Sequence, residues 1–449
     1  MRRTVTLLSI AIPVLLLATL SLIAADIVVS ERRASVQLPD APRFDGQRAV
    51  LISQPARPGF DHHTAESAVL LDLDSGERLY SRNSSAEQVA ASLTKLVTMY
   101  VILEAVEDGR IRLDERFEPH PSSWWTEMAA GSSLMFLGAD QRVSWDSLLA
   151  GLAVASGNDA AVAAAYELSG TVERFVDEMN DAMARFGVEG MAFSEPAGIS
   201  AGNRITADAF ADFLAHYVER FPWAIERYHA LEAFEFPDDE VYQSGRQMRP
   251  IVHTNRNLLI GSYAGADGLK TGYIRASGYN IAATAERDGR RLISVVLGVD
   301  GADHRAGGER RAEEAADLLD FGFDAFVRAD LRPKHLPAVS VVGAEPEHTG
   351  PEGTLPLRID GAPVLMVESD VERLQGRIVA ADRVRAPASP GDIVGYVEYF
   401  VGDELAGWSA IRVGDSVDTA GGVFGWVRRA VATVRGVPET RAWTKDTKE

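Results

Sequence analysis

One lysine stands at the head of a stretch that has no other charge. Ala91-Ser92-Leu93-Thr94-Lys95 leads directly into Leu96-Val97-Thr98-Met99-Tyr100-Val101-Ile102-Leu103. Apolar residues at 93, 96, 97, 100, 101 and 103 predict a helix buried on most sides. On that helix Ser92 and Lys95 lie at i and i+3, on one face. A fold that accepts it places an amine in a dry interior beside a hydroxyl. Desolvation disfavours the ammonium, so such a lysine can be neutral near pH 7 and take the serine proton. The alternative is that Ser92 only starts the helix and Lys95 reaches along it to solvent.

Lysine usage bears on that choice. The chain has five lysines, Lys95, Lys270, Lys334, Lys445 and Lys448, against forty arginines. Arginine cannot be deprotonated at working pH, so a position that must lose its proton has to remain lysine. A net charge of −20 with no basic stripe argues against nucleic acid as a partner. The absence of cysteine excludes disulfides, thiolate metal sites and cysteine nucleophiles. His62-His63 is the one close histidine pair and no His-x-x-x-His spacing occurs, so neither a metal nor a cofactor is expected.

At 449 residues two folded domains plus tails are expected. Met1-Arg2-Arg3 precedes an apolar run from Thr4 to Ala25, so residues 1–25 read as a signal peptide or an uncleaved signal anchor. Either form puts the body of the protein outside the cytoplasmic membrane. Residues 26–64, with Pro39, Pro42, Pro55 and Pro58, read as a leader. Ala68 to Leu73 and Arg78 to Tyr80 flank Asp74-Ser75-Gly76, a hairpin by turn chemistry. Helical segments follow, among them Trp145 to Val154 and Asp159 to Leu168. A second hairpin, Tyr279 to Ala285 and Leu292 to Val299, brackets Arg287-Asp288-Gly289-Arg290, and Gly308 to Phe326 reads as a closing amphipathic helix. Hairpins at both ends with helices between them predict an α+β domain over 65–328, with one antiparallel sheet built from both chain ends.

Short strands split by Gly and Pro then predict a small all-β domain over 332–414, among them Val339 to Val342, Leu355 to Ile359, Val364 to Val367 and Ile393 to Phe400. In 423–435, Val423, Val427, Ala430, Val431 and Val434 share one helical face, with Arg428, Arg429 and Arg435 away from its centre. Thirteen residues are too few to span a bilayer and suit a helix lying at a membrane surface. The alternative is a helix packed on the β domain. Residues 436–449 read as a tail.

Two further elements extend the opening motif. Ser156-Gly157-Asn158 lies between helical segments, and Lys270-Thr271-Gly272-Tyr273 precedes the second hairpin, where it can form a strand edge facing the Ser92 helix. Singly, the first is an ordinary turn and the second an ordinary strand start. Together, Ser-x-x-Lys, Ser-x-Asn and Lys-Thr-Gly in this order are the signature of penicillin-binding proteins and class A β-lactamases. Gly131-Ser132-Ser133-Leu134-Met135-Phe136-Leu137, Asp267-Gly268-Leu269-Lys270-Thr271-Gly272 and Gly278-Tyr279-Asn280 further resemble the D-alanyl-D-alanine carboxypeptidases among the low-molecular-mass penicillin-binding proteins. The likeness covers about residues 65 to 328, and a β domain followed by an amphipathic anchor is also typical of that family.

The resemblance implies a β-lactamase/DD-peptidase-like catalytic domain that acts on peptidoglycan stem peptides and is blocked covalently by β-lactams. It implies a location in the periplasm or cell envelope, with the chain attached peripherally to the outer face of the cytoplasmic membrane. By the same resemblance Ser92 is the nucleophile that forms the acyl-enzyme, Lys95 the general base and Ser156 a proton relay to the leaving amine. Asn158 holds substrate and lysine. Lys270 and Thr271 bind the terminal carboxylate, with Arg256 and Arg311 near it, and Gly272 permits close approach to the strand. The N–H groups of Ser92 and Tyr273 form the oxyanion hole. Tyr273 stands where that subgroup often has histidine. A β-lactamase is the alternative, yet none of the seven asparagines has the glutamate four residues earlier that class A enzymes use for deacylation. The non-enzymatic alternative is a peptidoglycan-binding envelope protein.

Overall fold

The computed structural model describes residues 64–418, apart from 188, 239, 246–247, 330–332, 334, 343, 345–348, 351–352 and 360–363, together with a strand at 439–444. The segments read as signal (1–25) and as surface helix (423–435) lie outside the described residues, as does the leader up to 63. Among the described residues no helix is long and apolar enough to cross a membrane. The chain divides into two units between Val327 and Arg328.

The first unit is built on five strands, β1 (Ser67–Asp72), β2 (Arg78–Arg82), β3 (Ala266–Ile274), β4 (Gly278–Arg287) and β5 (Arg290–Val299). The sheet is antiparallel in the order β3-β4-β5-β1-β2. Pairing of Ala68 with Val296 joins the two chain ends, as the hairpin pattern predicts. Asp288 and Gly289, at φ 52° and 71°, connect β4 to β5. A two-residue turn with both φ values positive matches strand twist, which is why Asp-Gly specifies it.

Side chains alternate across the sheet. Val69, Leu71, Ile293, Val295 and Leu297 join the helical core. Leu70 and Leu292 instead meet helix α6 (His304–Ala325), where a Cβ on Gly322 would fall 2.7 and 2.6 Å from their methyl carbons. The core side holds α1 (Thr94–Glu107), α2 (Trp145–Ala150), α3 (Asn158–Ser169), α4 (Val172–Arg185) and α5 (Ala207–Arg220). Every residue of α1 from Thr94 to Leu103 is buried, as the all-round apolar run requires. Ser92 itself precedes α1, in a single 3₁₀ turn, Ala91–Leu93. Three residues per turn bring i and i+3 into line, so the predicted meeting of Ser92 and Lys95 survives. The α2 segment continues as a π-turn, Gly151–Ala155, and ends at Ser156 in the left-handed conformation.

The second unit carries a five-stranded antiparallel sheet of β6 (Leu357–Ile359), β7 (Leu374–Ala380), β8 (Ile393–Val401), β9 (Glu404–Val413) and β10 (Glu439–Thr444). Its order is β6-β9-β8-β7-β10. Strands β7 and β9 carry no clear sequence signal because each has an interior glycine, which weakens a strand pattern. Gly376 and Gly407 both pair with Tyr399 of β8, which is buried between them. An aromatic cross-strand neighbour offsets the missing side chains. Strand β10 lies within the segment read as a tail.

The buried pair Arg290–Asp72 (2.7 Å) locks β5 to the β1–β2 turn. Asp72 also accepts from the Ser75 amide and hydroxyl, and Arg290 donates to the Phe326 carbonyl. Removing one partner leaves an uncompensated buried charge. Asp72→Ala is therefore expected to destabilise the first unit by about 3–5 kcal/mol in denaturant unfolding; a loss under ~1 kcal/mol would show the pair to be dispensable.

Candidate active site

Lys95 is fully buried, and its Nζ has three neighbours: Ser92 Oγ at 3.1 Å, Asn158 Oδ1 at 2.8 Å and the Ala197 carbonyl oxygen. Burial lowers its pKa from 10.5 to about 7, against the opposing pull of Glu195 and Asp159. Two of the three neighbours, a carboxamide oxygen and a carbonyl, can only accept. A neutral amine has two N–H bonds, which these two take. Its lone pair then faces the one neighbour able to donate, the Ser92 hydroxyl.

Ser156 and Asn158 approach from the π-turn and the start of α3. Ser156 is buried at φ 57°, and a non-glycine residue held there costs about 1–3 kcal/mol. Asp159, next in sequence, is buried and accepts from four amides, those of Met135 (2.9 Å), Phe136 (2.7 Å), Leu137 (3.0 Å) and Ala160 (3.0 Å). Burial pushes its carboxyl above the ordinary range while the amides act the other way. This carboxylate pins the 131–137 segment against the site.

A second support carries no catalytic motif and is missed by sequence reasoning. The loop from Ser194 to Asn203 supplies the Ala197 carbonyl to Lys95 and the Pro196 carbonyl to Thr98 (2.7 Å). Glu195 shapes it by accepting from the amides of Ala197, Ile199 and Ser200. Buried Asn203 donates to Thr94 Oγ1 (3.0 Å) at the base of α1. Its Pro196, Gly198 and Gly202 mark a loop in the sequence, but nothing there marks its partner.

Strand β3 is the sheet edge beside the Ser92 turn. A Cβ on Gly272 would lie 3.1 Å from both Ala91 Cβ and Ser92 N, so glycine lets strand and turn close. Asn280 of β4 fixes the same contact by donating to the carbonyls of Val89 (2.9 Å) and Ala90 (3.3 Å). Lys270 shares a face of β3 with Gly272, and Thr271 shares the other with Tyr273. Lys270 and Thr271 are buried, whereas Tyr273 is 38% exposed and stacks on Tyr279 with ring centroids 4.3 Å apart.

The arginines complete a ring of contacts. Arg311 is buried and donates to the carbonyls of Gly272 (3.2 Å) and Arg256 (3.3 Å). Exposed Arg256 donates to Ser133 Oγ (2.9 Å), and the Ser133 carbonyl accepts from the Asn158 amide (2.8 Å). Burial and the charges of Lys95, Arg256 and Arg311 hold Lys270 well below its usual pKa. Burial with Arg256 lowers Arg311 to about 10, so it stays cationic at neutral pH. A chain with a net charge of −20 thus gathers four basic side chains around one serine, an arrangement suited to a carboxylate. The structure brings together Ser92, Lys95 and Asn158 by direct contact, and links Gly272, Arg256 and Arg311 to them through the ring. Among the described residues no group of three or more His, Asp or Glu side chains could hold a metal. A separate depression of about 790 Å³ contains none of these residues, and two of its carboxylates, Asp208 and Asp212, are paired with Arg78.

Gly198 is where this support is least tolerant. It has φ +76°, and a Cβ there would meet the Ala91 carbonyl oxygen at 1.9 Å. Gly198→Ala is expected to lower the melting temperature by several degrees; an unchanged melting temperature would show that the loop shifts without cost.

Residues 52–301 match the family profile of peptidase S11, D-alanyl-D-alanine carboxypeptidase. The D-alanyl-D-alanine carboxypeptidase DacA of Haemophilus influenzae is 30% identical over 382 residues, covering 83% of this chain and 90% of that protein. DacF of Bacillus subtilis, of the same description, is 28% identical over 369 residues, with 80% and 87% covered. The crystal structure of penicillin binding protein 5 from H. influenzae superposes with a TM-score of 0.62 at 29% identity, covering 79% of this chain and 98% of that one. The chain belongs to the D-alanyl-D-alanine carboxypeptidase family of serine peptidases.

Proposed function

We propose that this carboxypeptidase removes the terminal D-alanine of peptidoglycan pentapeptides through an acyl-enzyme on Ser92. The observation that carries the reading is the set of partners around Lys95 Nζ, which directs a neutral amine's lone pair at Ser92 Oγ.

The terminal carboxylate enters the cluster of Lys270, Thr271, Arg256 and Arg311. The scissile carbonyl sits between the N–H groups of Ser92 and Tyr273, which stabilise the oxyanion as it develops. Lys95 takes the Ser92 proton while Oγ bonds to the carbonyl carbon. Ser156 passes a proton to the departing D-alanine amine, and Asn158 holds both Lys95 and the peptide. Water then cleaves the ester and regenerates Ser92. The same nucleophile opens a β-lactam ring, and with no class A glutamate to speed deacylation the penicilloyl-enzyme persists.

The basic and apolar residues of the first 25 positions support export to the periplasm or cell envelope. The one-sided apolar pattern of 423–435 supports peripheral attachment to the outer face of the cytoplasmic membrane.

The test is release of D-alanine from a pentapeptide ending in D-Ala-D-Ala. Ser92→Ala is expected to abolish it, and release equal to that mutant's background in the unaltered protein would end the proposal. Lys95→Arg is expected to retain the fold and abolish fluorescent-penicillin labelling, because arginine cannot accept the proton; normal labelling would remove Lys95 from its role. The pH dependence has a definite sign. The active form of Lys95 is neutral and its pKa is about 7. Acylation should therefore be near its plateau above that pH and fall about tenfold per unit below it. A rate independent of pH between 5 and 8 would contradict this assignment.

A further inference from the structure

Strand β3 enters the site through an irregularity. Its register against β4 shifts between Ala266 and Gly268, and such a shift takes peptide groups out of the ladder. Two carbonyls at that point are met by buried side chains instead. Asn257 Nδ2 donates to the Gly268 carbonyl (2.8 Å), and His229 Nδ1 lies 3.1 Å from the Leu269 carbonyl oxygen. His229 closes a π-turn, Ile225–His229, and is fully buried. The approach is close because residue 268 is glycine: a Cβ there would lie 3.3 Å from His229 Cβ.

The second ring nitrogen, Nε2, is 2.8 Å from the hydroxyl of Tyr217 on α5. These partners assign the ring proton. A carbonyl can only accept, so Nδ1 carries the hydrogen, and the lone pair on Nε2 takes the Tyr217 O–H. Burial keeps both groups in the forms this needs. It lowers His229 to about 4 and raises Tyr217 above the ordinary phenol range. The relay from Tyr217 through His229 therefore runs in one direction and ends on the peptide unit whose nitrogen belongs to Lys270. In an antiparallel strand, peptide groups two residues apart point the same way. Leu269, Thr271 and Tyr273 thus turn their peptide groups in one direction, and a side chain from outside the sheet holds the first of them. We propose that His229 is a positioning residue for the carboxylate anchor: by holding the Leu269 carbonyl it fixes the strand edge on which Lys270, Thr271 and Tyr273 meet the substrate. The inference rests on the reading of Lys270 and Thr271 as that anchor.

The experiment measures kcat and KM for D-alanine release from a D-Ala-D-Ala pentapeptide in the unaltered protein, His229→Leu and His229→Asn. Leucine fills the space and donates nothing. Asparagine carries an N–H as many bonds from Cα as Nδ1 is in histidine, but does not reach Tyr217. Both variants are expected to lower the melting temperature, since both leave the buried Tyr217 hydroxyl without its partner. Only His229→Leu is expected to raise KM, by about fivefold to tenfold with kcat within about threefold, because the anchor binds ground state and transition state alike. His229→Asn should return KM to within about twofold. A KM unchanged in His229→Leu, or raised equally in both variants, would overturn the inference and show a histidine that only fills the core. The ring itself gives a readout that needs no variant: nitrogen NMR of the unaltered protein is expected to show a proton on His229 Nδ1 and none on Nε2 at pH 7. A proton on Nε2 alone would equally overturn it. Either of those results leaves the carboxypeptidase reading intact, whereas an unaltered protein that releases no D-alanine ends that reading and the inference with it.

Discussion

The first unit depends on keeping one amine dry. Lowering Lys95 from 10.5 to about 7 means that the ammonium is less favourable there by about 5 kcal/mol than in water. The cost follows from enclosing α1 on all sides, and the sheet and helices around it make that enclosure. Opposing charge keeps the shift within a useful range. Glu195 and Asp159 both act to restore the proton, so the amine titrates near neutrality instead of being permanently unprotonated. Each of these carboxylates is itself held by backbone amides and fixes the chain that lines the site. The groups that tune the amine are therefore also the groups that fix the chain around it.

How much of this is legible in the sequence divides along the same line. The sheet from both chain ends could be read because turn chemistry and two-residue alternation are local properties. Ser92, Lys95, Asn158 and Lys270 could be read because their spacing and the scarcity of lysine are visible without a fold. Asn203, Glu195 and Gly198 could not. Their roles exist only once a loop a hundred residues downstream lies against α1, and an Asn or a Gly in a loop is otherwise unremarked. The same holds for Gly376 and Gly407, whose sense depends on Tyr399 lying between them. The 3₁₀ turn before α1 was hidden for another reason: helix and 3₁₀ turn bring i and i+3 together alike, so the motif does not distinguish them.

Strand β3 shows why the site lies where it does. An edge strand leaves backbone groups without a sheet partner, and proteins ordinarily blunt or cover such edges. Here the cover is the Ser92 turn, admitted by Gly272, and the guanidinium of Arg311 on the Gly272 carbonyl. These are small covers that leave Tyr273 at the surface. A peptide substrate can therefore meet backbone N–H and C=O groups and the serine at one place, without any strand having to be displaced. The constraint runs in both directions. A larger residue at 272 would push the turn away and open the edge, while a further strand on β3 would close the cleft. The placement of Ser92 and the exposure of the sheet edge are thus one structural decision, and the alanine carbonyl, the asparagine oxygen and the hydroxyl around Lys95 Nζ complete the arrangement beside that edge.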